Sequence, residues 1–535
     1  MKRLAKIAAP LLAGLLALGA CAAQPSAPAT PGDSTSTPTA DTSVPSDTAS
    51  NDGGGDIVIA LNNNIITLDA HDARDALSNN VIAAMAEALV DFDHDMNIIP
   101  SLAESFEVSQ DALSYTFSLR RGVSFHDGTP FNAEAVSVNV QRIIDSDGAL
   151  RQARTFERLD RMEIVDEYTI AFHLSEPFMP FLERLQAFRL LSPAVIQDDV
   201  GSLARHPVGT GQFIFREWVD GDRMIMTRNP EHRNSHLIGV DSVTYRFVME
   251  NGTRVAMLQT GEADLIYPMP AEMISMVQAD PNIEIEVRSS TVVRYVTMNQ
   301  NVEPLNDVRV RRAMNHAIDV DAYINVVRGG YSVPIHSAIS PILPFYYANE
   351  PFDFDLDLAR RLLAEAGYPD GFDVTIWGST SSSDIRGMEF IAQQLGQIGI
   401  NVEVMPMEEG TLSASVYQTT PETTELQMWY VSWSAFDPDN ALRSTFVSYM
   451  HPPTGANTNY YVNLAVDEAI RNGNRATDFD TRFEYYAQAQ RMIWDDAVWL
   501  FLGADETVMA KNTRLTGARL QPTGAWIDLR EVGLR

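Results

Sequence analysis

The stretch LAESFEVSQDALSYTFSLRRGVSFHDGTPFNAEAV, residues 102–136, decides the fold. Within it, residues 115–119 alternate apolar and polar side chains, which predicts a β-strand with one buried face. Turn residues fill 121–128, and an apolar pattern of helical spacing then runs over 133–144. Asn132 precedes this run and predicts an N-cap, because its side chain can accept a hydrogen bond from the first helical turn. The stretch therefore predicts a strand, a turn and a helix in close succession.

Short apolar runs bounded by turn residues predict further strands along the chain. They lie at 56–61, 163–165, 169–174, 373–377, 401–404, 426–433 and 498–502. Apolar residues at helical spacing predict helices at 78–90, 309–327, 358–366, 388–398 and 483–495. The order strand, helix, strand over 373–404 is that of a βαβ unit, whose two strands pair in parallel. We therefore predict a mixed α/β protein with several sheets.

Two glycine-containing motifs lie next to predicted elements. The segment 126–128 reads His-Asp-Gly between a strand and a helix, which predicts a turn with His126 holding the loop. The segment 209–211 reads Gly-Thr-Gly and lacks the spacing of a dinucleotide fingerprint or a P-loop. It predicts a hinge or crossover whose backbone needs glycine.

Composition and charge exclude several classes of protein. The chain has 535 residues, of which 45% are hydrophobic, as in ordinary globular proteins. Its formal charge of −32 argues against nucleic-acid binding, which needs a basic face to neutralise phosphates. One cysteine excludes an internal disulfide and a cysteine-based zinc site. We expect a protein of about three domains.

The N-terminal sequence indicates a targeting signal rather than part of the folded domains. Residues 1–21 combine a basic start with a short apolar run and end in Leu-Gly-Ala-Cys, the pattern of a lipoprotein signal peptide with a lipobox. Cys21 would then be lipidated; the alternative is an ordinary secretory signal with a chance cysteine. Residues 22–55 are rich in Ser, Thr and Pro, which predicts a disordered linker, because they cannot bury enough apolar surface to fold.

The stretch 102–136 resembles the signature region of the extracytoplasmic solute-binding proteins of peptide/nickel-type ABC importers, called family 5. Five further segments resemble the same family in collinear order. They are HPVGTGQFIF (206–215), NDVRVRRAMNHAIDVDAYI (306–324), ARRLLAEAGYPDGF (359–372), IAQQLGQIGINVEV (391–404) and VDEAI (466–470). The resemblance covers essentially all of 56–535.

This resemblance implies an α/β fold of the periplasmic-binding-protein type, two-lobed like a Venus flytrap, with an extra inserted domain and mixed sheets. Domain I would comprise 56–91, 208–296 and 511–535. Domain II would be an insertion at 92–207, and domain III, the second ligand-binding lobe, would cover 297–510. The ligand would lie between the lobes, which close around it by a hinge motion.

The segment 428–442, MWYVSWSAFDPDNAL, carries the strongest ligand-site prediction. An aromatic strand runs there into an acidic turn, which offers an apolar wall beside charged acceptors. The resemblance adds that this strand and loop face the cleft in the family. We predict Trp433 and Phe436 as wall residues and Asp437 as a polar anchor or a brace for the loop. The alternatives are core packing for Trp433 and a simple turn at Asp437.

Other candidate contacts come from loops. Asn63 and Asn64 follow the first strand, where ligands of open α/β sheets tend to sit; the alternative is a plain polar turn. Asn299 lies at the expected start of domain III. Arg386 is the nearest candidate to the arginine that meets the peptide carboxylate in dipeptide receptors, unless it faces solvent. The loop aspartate that pairs with the peptide amino group in the family has no counterpart here.

The function that follows is that of an extracytoplasmic receptor, lipid-anchored and monomeric, which delivers a short peptide or a polar solute of similar size to an ABC permease and its ATPase. No catalytic constellation is present, and we predict no enzyme activity, no cofactor and no metal site. The alternatives within the fold are a metal chelate, a glutathione-like compound, an opine or a sugar as ligand. A sensor or an anchored enzyme is a more distant alternative.

Overall fold

The structure is a computed structural model that describes residues 54–521, 523 and 527–535. Its strands, in chain order, are β1 (Asp56–Leu61), β2 (Val90–Phe92), β3 (Ile98–Pro100), β4 (Ala103–Val108), β5 (Ser114–Leu119), β6 (Leu159–Asp166), β7 (Thr169–Leu174), β8 (Phe213–Val219), β9 (Arg223–Arg228), β10 (Ser242–Phe247), β11 (Leu265–Tyr267), β12 (Ile283–Met298), β13 (Ser332–Pro334), β14 (Phe372–Ser379), β15 (Ile400–Met407), β16 (Met428–Ser434), β17 (Trp499–Asn512), β18 (Leu515–Thr516), β19 (Arg519–Leu520), β20 (Ile527–Asp528) and β21 (Gly533–Leu534).

The helices alternate with these strands. They are α1 (Ala76–Met85), α2 (Ala133–Asp145), α3 (Phe181–Leu185), α4 (Pro193–Asp198), α5 (Asn251–Thr260), α6 (Ile274–Val277), α7 (Val308–His316), α8 (Val320–Val327), α9 (Leu356–Ala366), α10 (Ser382–Gly396), α11 (Glu409–Tyr417), α12 (Pro438–Phe446), α13 (Leu464–Arg475) and α14 (Phe479–Asp495). Short 3₁₀ helices lie at Arg151–Thr155, Val200–Ala204, Ser235–Leu237 and Ala271–Met273.

Eleven strands form one large mixed sheet in the order β15-β14-β16-β12-β17-β11-β1-β10-β9-β8, with β13 added beside β17. Strand β1 pairs in parallel with β10 and β11, and β14 pairs in parallel with β15 and β16. The predicted βαβ unit is therefore present as β14, α10 and β15. The predicted mixed α/β class with several sheets is confirmed.

Two long antiparallel strands, β12 and β17, join the two halves of this sheet. Residues 283–289 pair with 506–512 in the first half, and residues 293–297 pair with 499–504 in the second. The register shifts between them, so that β12 bulges where the halves meet. The Ser290 hydroxyl donates to the Asp505 carbonyl at 2.6 Å and holds the bulge closed.

A largely buried ion cluster lies beside this bulge. Arg294 of β12 donates to the Asp505 carboxylate of β17 at 3.0 Å, and Arg328 lies 2.9 Å from the same oxygen. Arg294 also lies 3.4 Å from Asp384 of α10, with its guanidinium over the Tyr430 ring. Burial lowers the pKa of Arg294, but Asp505, Tyr430, Tyr323 and Asp384 together outweigh this effect, so the net shift is upward. Charge pairing thus offsets the cost of burying these groups.

The quoted stretch builds a separate four-stranded antiparallel sheet in the order β4-β5-β7-β6, covered by α2. The alternating residues Tyr115, Phe117 and Leu119 point into its core and are almost fully buried. Each buried side chain of this size contributes about 2 kcal/mol. The Asn132 side chain accepts from the Ala135 amide at 3.0 Å, which confirms the predicted N-cap.

The two glycine-containing motifs contact each other. The His126 Nε2 atom lies 2.9 Å from the Gly211 carbonyl, and the His126 amide donates to the Gly209 carbonyl. The predicted structural role of His126 is thereby confirmed. A Cβ atom on Gly209 would come within 2.2 Å of the Met85 carbonyl, so only glycine allows this close approach of the two backbones.

Two predicted helices differ from those observed. The helix predicted at 78–90 ends at Met85, because Ala88 and Leu89 leave it to pair with the backbone after β3. The helix predicted at 309–327 is divided into α7 and α8, because the Asp319 side chain accepts from the Ala322 amide and begins a new helix. Both errors arise where a tertiary or capping hydrogen bond competes with an apolar pattern.

The N-terminal predictions fall largely outside the described residues. The signal peptide at 1–21, Cys21 and all but the last two residues of the linker at 22–55 belong to that part. Within the described part, no helix is both long enough and apolar enough to cross a membrane.

We expect Arg294→Met to lower the free energy of unfolding by about 3 kcal/mol, because it leaves the Asp505 carboxylate under-compensated in a largely buried site. Urea denaturation followed by circular dichroism measures the loss. Arg288→Met is the matched control, since Arg288 is exposed on the same strand and pairs only with Glu286; its loss should stay under about 1 kcal/mol. Equal losses in both variants would contradict the role given to Arg294.

Candidate functional site

A cavity of about 520 Å³ lies where three parts of the chain meet. Residues 73–79 at the start of α1 form one wall, and residues 151–157 and 183–189 beside the four-stranded sheet form the second. The third comes from 434–454, the end of β16 with α12 and the loop after it. Val292 at the β12 bulge also lines it. The cavity is therefore assembled by tertiary folding and not by one local motif.

The end of β16 delivers two predicted residues to this cavity. Phe436 is half-buried and lines it, and Asp437 lines it while capping α12, whose first residue is Pro438. The Asp437 carboxylate accepts from the Asn440 amide at 2.8 Å. Asp437 is thus a brace for the loop that also lines the cavity, and its role as a polar anchor for a ligand stays a prediction.

Trp433 lies on β16, three residues before Phe436, and both pack against the same hydrophobic core. It pairs with Val293 of β12 and packs, half-buried, against the core below the cavity. Its indole Nε1 atom is buried and has no hydrogen-bond partner among the described residues. Trp433 does not line the cavity, and its position agrees with the alternative prediction that it packs against the core.

An ion network joins the second wall to the third. Arg184 of α3 donates to Asp439 of α12 and lies 3.6 Å from Glu157. Arg443, one turn further along α12, lies 3.3 Å from Glu157 and 3.2 Å from Asp439. The Asn474 side chain donates to the other Asp439 oxygen, which satisfies this fully buried carboxylate. The network fixes α12 against the region of the four-stranded sheet.

Two cavity carboxyl groups have raised pKa values. Burial raises the pKa of Asp437, and the neighbouring Asp439 charge adds to this, while Arg184 opposes it. Burial raises the pKa of Glu183 to about 7, with Arg482 opposing and Asp437 adding to the shift. The Arg482 Nη2 atom is 3.9 Å from Glu183 Oε1, and Glu183 Oε2 is buried with no hydrogen-bond partner among the described residues. This wall can therefore gain or lose a proton near neutral pH.

The cavity is locally basic in an acidic protein. Its arginines are Arg74, Arg151, Arg154, Arg184, Arg189 and Arg443. Its carboxyl residues are Asp75, Glu157, Glu183 and Asp437. The excess of two positive charges contrasts with the −32 of the whole chain. Anionic groups are thus favoured here and disfavoured over most of the surface.

The loop asparagines lie outside the cavity lining. Asn63 is exposed, and its side chain accepts from the Asn64 amide at 2.9 Å, as in a polar turn. Asn64 Oδ1 is buried with no hydrogen-bond partner among the described residues. Both residues follow β1, as predicted, and their role as ligand contacts stays a prediction.

Asn299 and Arg386 also lie outside this lining. The Asn299 side chain donates to the Leu426 carbonyl at 2.7 Å and accepts from the Asn301 amide at 3.0 Å. Both polar atoms of the Asn299 side chain are thus hydrogen-bonded to neighbouring backbone groups. Arg386 is exposed on α10, which agrees with the solvent-facing alternative.

Sequence reasoning missed Arg74, Arg151 and Arg154, which line the cavity from elements distant in sequence. One signal was present: residues 151–154 read Arg-Gln-Ala-Arg, a basic pair in a strongly acidic chain. Glu183 carried no such signal, because only burial in the folded protein distinguishes it.

A second cavity of about 320 Å³ lies in the region of α8, β13 and α14. Its wall is largely aromatic, with Phe352, Phe354, Trp494 and Phe501, and it also includes His336. It shares no residue with the first cavity.

Comparison with known proteins gives a consistent set of similarities. A family model described as bacterial extracellular solute-binding proteins, family 5 Middle, matches residues 97–450. The chain is 36% identical over 472 residues to a glutathione-binding protein, GsiB, of Pectobacterium atrosepticum, which covers 87% of this chain and 92% of that protein.

Solved structures share the fold. The periplasmic binding protein DppA of Helicobacter pylori, in complex with the peptide STSA, has a TM-score of 0.75 at 27% identity and covers 90% of this chain and 98% of its own. HbpA2 of Haemophilus parasuis has a TM-score of 0.80 at 25% identity, over 90% of this chain and all of its own.

Ionisation of Glu183 should contribute a fall in the free energy of unfolding as the pH rises from about 4.5 to about 7, while His71, whose pKa burial lowers to about 4, contributes a rise in much of the same range. The pKa of Glu183 is higher in the folded protein than the ordinary 4.5, so the folded state binds the extra proton in this range. Glu183→Gln should remove this contribution, which is up to about 3 kcal/mol. Denaturant titrations at several pH values measure it.

Glu167→Gln serves as the control for this pH dependence. Glu167 is exposed in the turn between β6 and β7, so its replacement should leave the pH profile unchanged. A Glu183→Gln profile that coincides with that of the unmodified protein would show that Glu183 has an ordinary pKa.

Proposed function

Since the chain belongs to the bacterial extracellular solute-binding proteins of family 5, we propose that it captures a small peptide-like solute and delivers it to the permease of an ABC importer. Members of this family work with ABC permease and ATPase components and are receptors rather than enzymes. The chain itself would bind its solute without chemical change.

Both predictions made from the resemblance, the family and the fold, are confirmed. The family model spans most of the chain, and the relatives are matched over nearly their whole length. The structural neighbours are two-lobed periplasmic binding proteins. The chain is thus a solute-binding receptor of this fold.

The cavity of about 520 Å³ is the observation that carries the proposed site. Its volume lies within the roughly 300–1,000 Å³ typical of small-molecule sites, and three distant parts of the chain enclose it. A site built this way changes shape when those parts move relative to one another. Ligand binding would then favour the arrangement that contacts it best.

The bulged strands β12 and β17 are the proposed hinge. They are continuous through both halves of the large sheet and shift register where the halves meet. The proposed domains follow from this: domain I from 56–91, 208–296 and 511–535, domain II from 92–207, and domain III from 297–510. The separate cores of the four-stranded sheet and of the two sheet halves support this division.

A short peptide or a glutathione-like compound is the proposed ligand. The relatives named glutathione-binding proteins and the neighbour in complex with a peptide support this class. The cavity wall also carries both charge types that such a zwitterion needs, with arginines for carboxylates and Asp437 for an ammonium group. Phe436 would supply the apolar wall, with Trp433 packed against the same hydrophobic core.

The proposed location is the outer side of a bacterial membrane, as for the extracytoplasmic relatives. We place the attachment at a lipidated Cys21, with 22–55 as the tether and the receptor as a monomer. The support is the lipobox sequence and the low apolar content of the tether.

We expect glutathione or short peptides to raise the thermal stability of the full chain, purified through unfolding and refolding to remove carried-over ligand. At 100 times its dissociation constant, a ligand adds about 2.7 kcal/mol to the free energy of unfolding. A thermal-shift screen with di- to pentapeptides, glutathione, opines, oligosaccharides and nickel chelates measures this. A shift from a non-peptide class alone would replace the proposed ligand.

Phe436→Ala should weaken the ligand so identified about five- to tenfold, because an aromatic contact in the wall is lost. Phe354→Ala is the matched control, since Phe354 lies in the second cavity. Isothermal titration calorimetry compares the two variants. Weaker binding with Phe354→Ala alone would move the site to the second cavity.

A further inference from the structure

Two guanidinium groups in the cavity have no carboxylate partner among the described residues. Arg151 and Arg154 lie on the 3₁₀ helix Arg151–Thr155 and line the cavity. Among the residues that the structure describes, no Asp or Glu oxygen lies within 4 Å of either guanidinium group. By contrast, Arg184 and Arg443 of the same cavity contact Glu157 and Asp439.

Further arginines crowd around this pair. The Arg74 side chain donates to the Ala149 carbonyl at 3.1 Å, two residues before Arg151. The Arg184 Nη1 atom lies 3.4 Å from the Arg154 carbonyl. Burial lowers the pKa of Arg151, and the charges of Arg154, Arg74 and Arg184 lower it further. This side of the cavity therefore carries a local excess of positive charge, and both Arg151 and Arg154 are exposed to solvent.

The overall composition makes this excess informative. The chain has 71 acidic and 39 basic residues, so carboxylates far outnumber the basic groups that could pair with them. A guanidinium fork fits a carboxylate with two parallel hydrogen bonds, and unpaired forks facing a cavity are well suited to an anionic ligand. Solubility does not require positive charge here, since the net charge of the chain already keeps it far from neutrality.

We infer that the solute carries at least two carboxylates, one of which is bound by Arg151 and Arg154. This inference rests on the proposed function and narrows its ligand from any short peptide to an acidic one, such as a peptide with a glutamate side chain or a γ-glutamyl peptide. Arg74 contributes to the same positive field. The ammonium group of the solute would then bind the carboxyl groups of Asp437 and Glu183, which line the same cavity.

The sharpest test is a pair of ligands that differ only in the second carboxylate. The dipeptides Ala-Glu and Ala-Gln have nearly the same shape, and glutathione and its analogue with an amide in place of the glycine carboxylate form a second such pair. Calorimetry on the full chain should give roughly 10- to 100-fold tighter binding for the acid in each pair, as expected for a hydrogen-bonded charge. Inorganic phosphate, added as competitor, should not displace Ala-Glu.

The double variant Arg151→Gln/Arg154→Gln should remove this preference. In this variant, the ratio of the affinities for Ala-Glu and Ala-Gln should fall to near one, whatever the absolute affinity for either peptide. Arg161→Gln is the matched control, because it removes a positive charge from exposed strand β6, where Arg161 contacts only Glu163. The ratio should be unchanged in this control.

Each outcome decides between the two proposals. Equal binding of Ala-Glu and Ala-Gln, or a preference that survives in the double variant, overturns the acidic-ligand inference and leaves the receptor proposal standing. Displacement of Ala-Glu by phosphate overturns the assignment to a carboxylate. If neither peptide nor either form of glutathione binds, the proposed peptide-like ligand is wrong, and the inference falls with it.

Discussion

The pairing of β12 with β17 is the constraint on which the rest of the structure depends. Among the strands of the described residues, only these two run through both halves of the large sheet, and their bulge marks the point where the halves meet. The Arg294–Asp505 contact and the Ser290 hydrogen bond fix that bulge from two sides. Since Val292 of the bulge also lines the cavity, the same few residues set the geometry of the sheet and the position of the site. A receptor that moves at this point would alter the cavity directly.

The electrostatics of the cavity have two distinct parts. One is a network of ion pairs, in which Arg184 and Arg443 both contact the carboxylates of Asp439 and Glu157. The other is open: Arg151 and Arg154 face the cavity without carboxylate partners among the described residues. The network offsets its own burial cost through pairing. Arg151 and Arg154 are exposed to solvent as well as to the cavity, so they are available to an anionic ligand, as inferred above.

The sequence predicted more of the fold than of the site. Local patterns were sufficient for the strand and N-cap around Asn132, and collinear motifs were sufficient for the family. They failed at Asp319, where a side-chain cap divides one apolar run into two helices. In the site, the turn at Asp437 was visible because its chemistry is local. The cavity positions of Arg74 and Arg151 could not be predicted. These residues come together only when segments far apart in the chain fold, and no single segment of the sequence contains that information.

The contacts between α3 and α12 have a consequence for how such receptors diversify. Asp439 is fully buried and touches Arg184, Arg443 and Asn474, so replacing any of them disturbs the framework as well as the cavity. Among the described residues, the side chains of Arg151 and Arg154 make no comparable contacts that hold the fold together. If Arg151 and Arg154 bind the solute as inferred, substitutions on their 3₁₀ helix would change selectivity and leave the scaffold intact. Receptors that share this fold could in this way acquire specificity for new nutrients through a few substitutions in a single short segment.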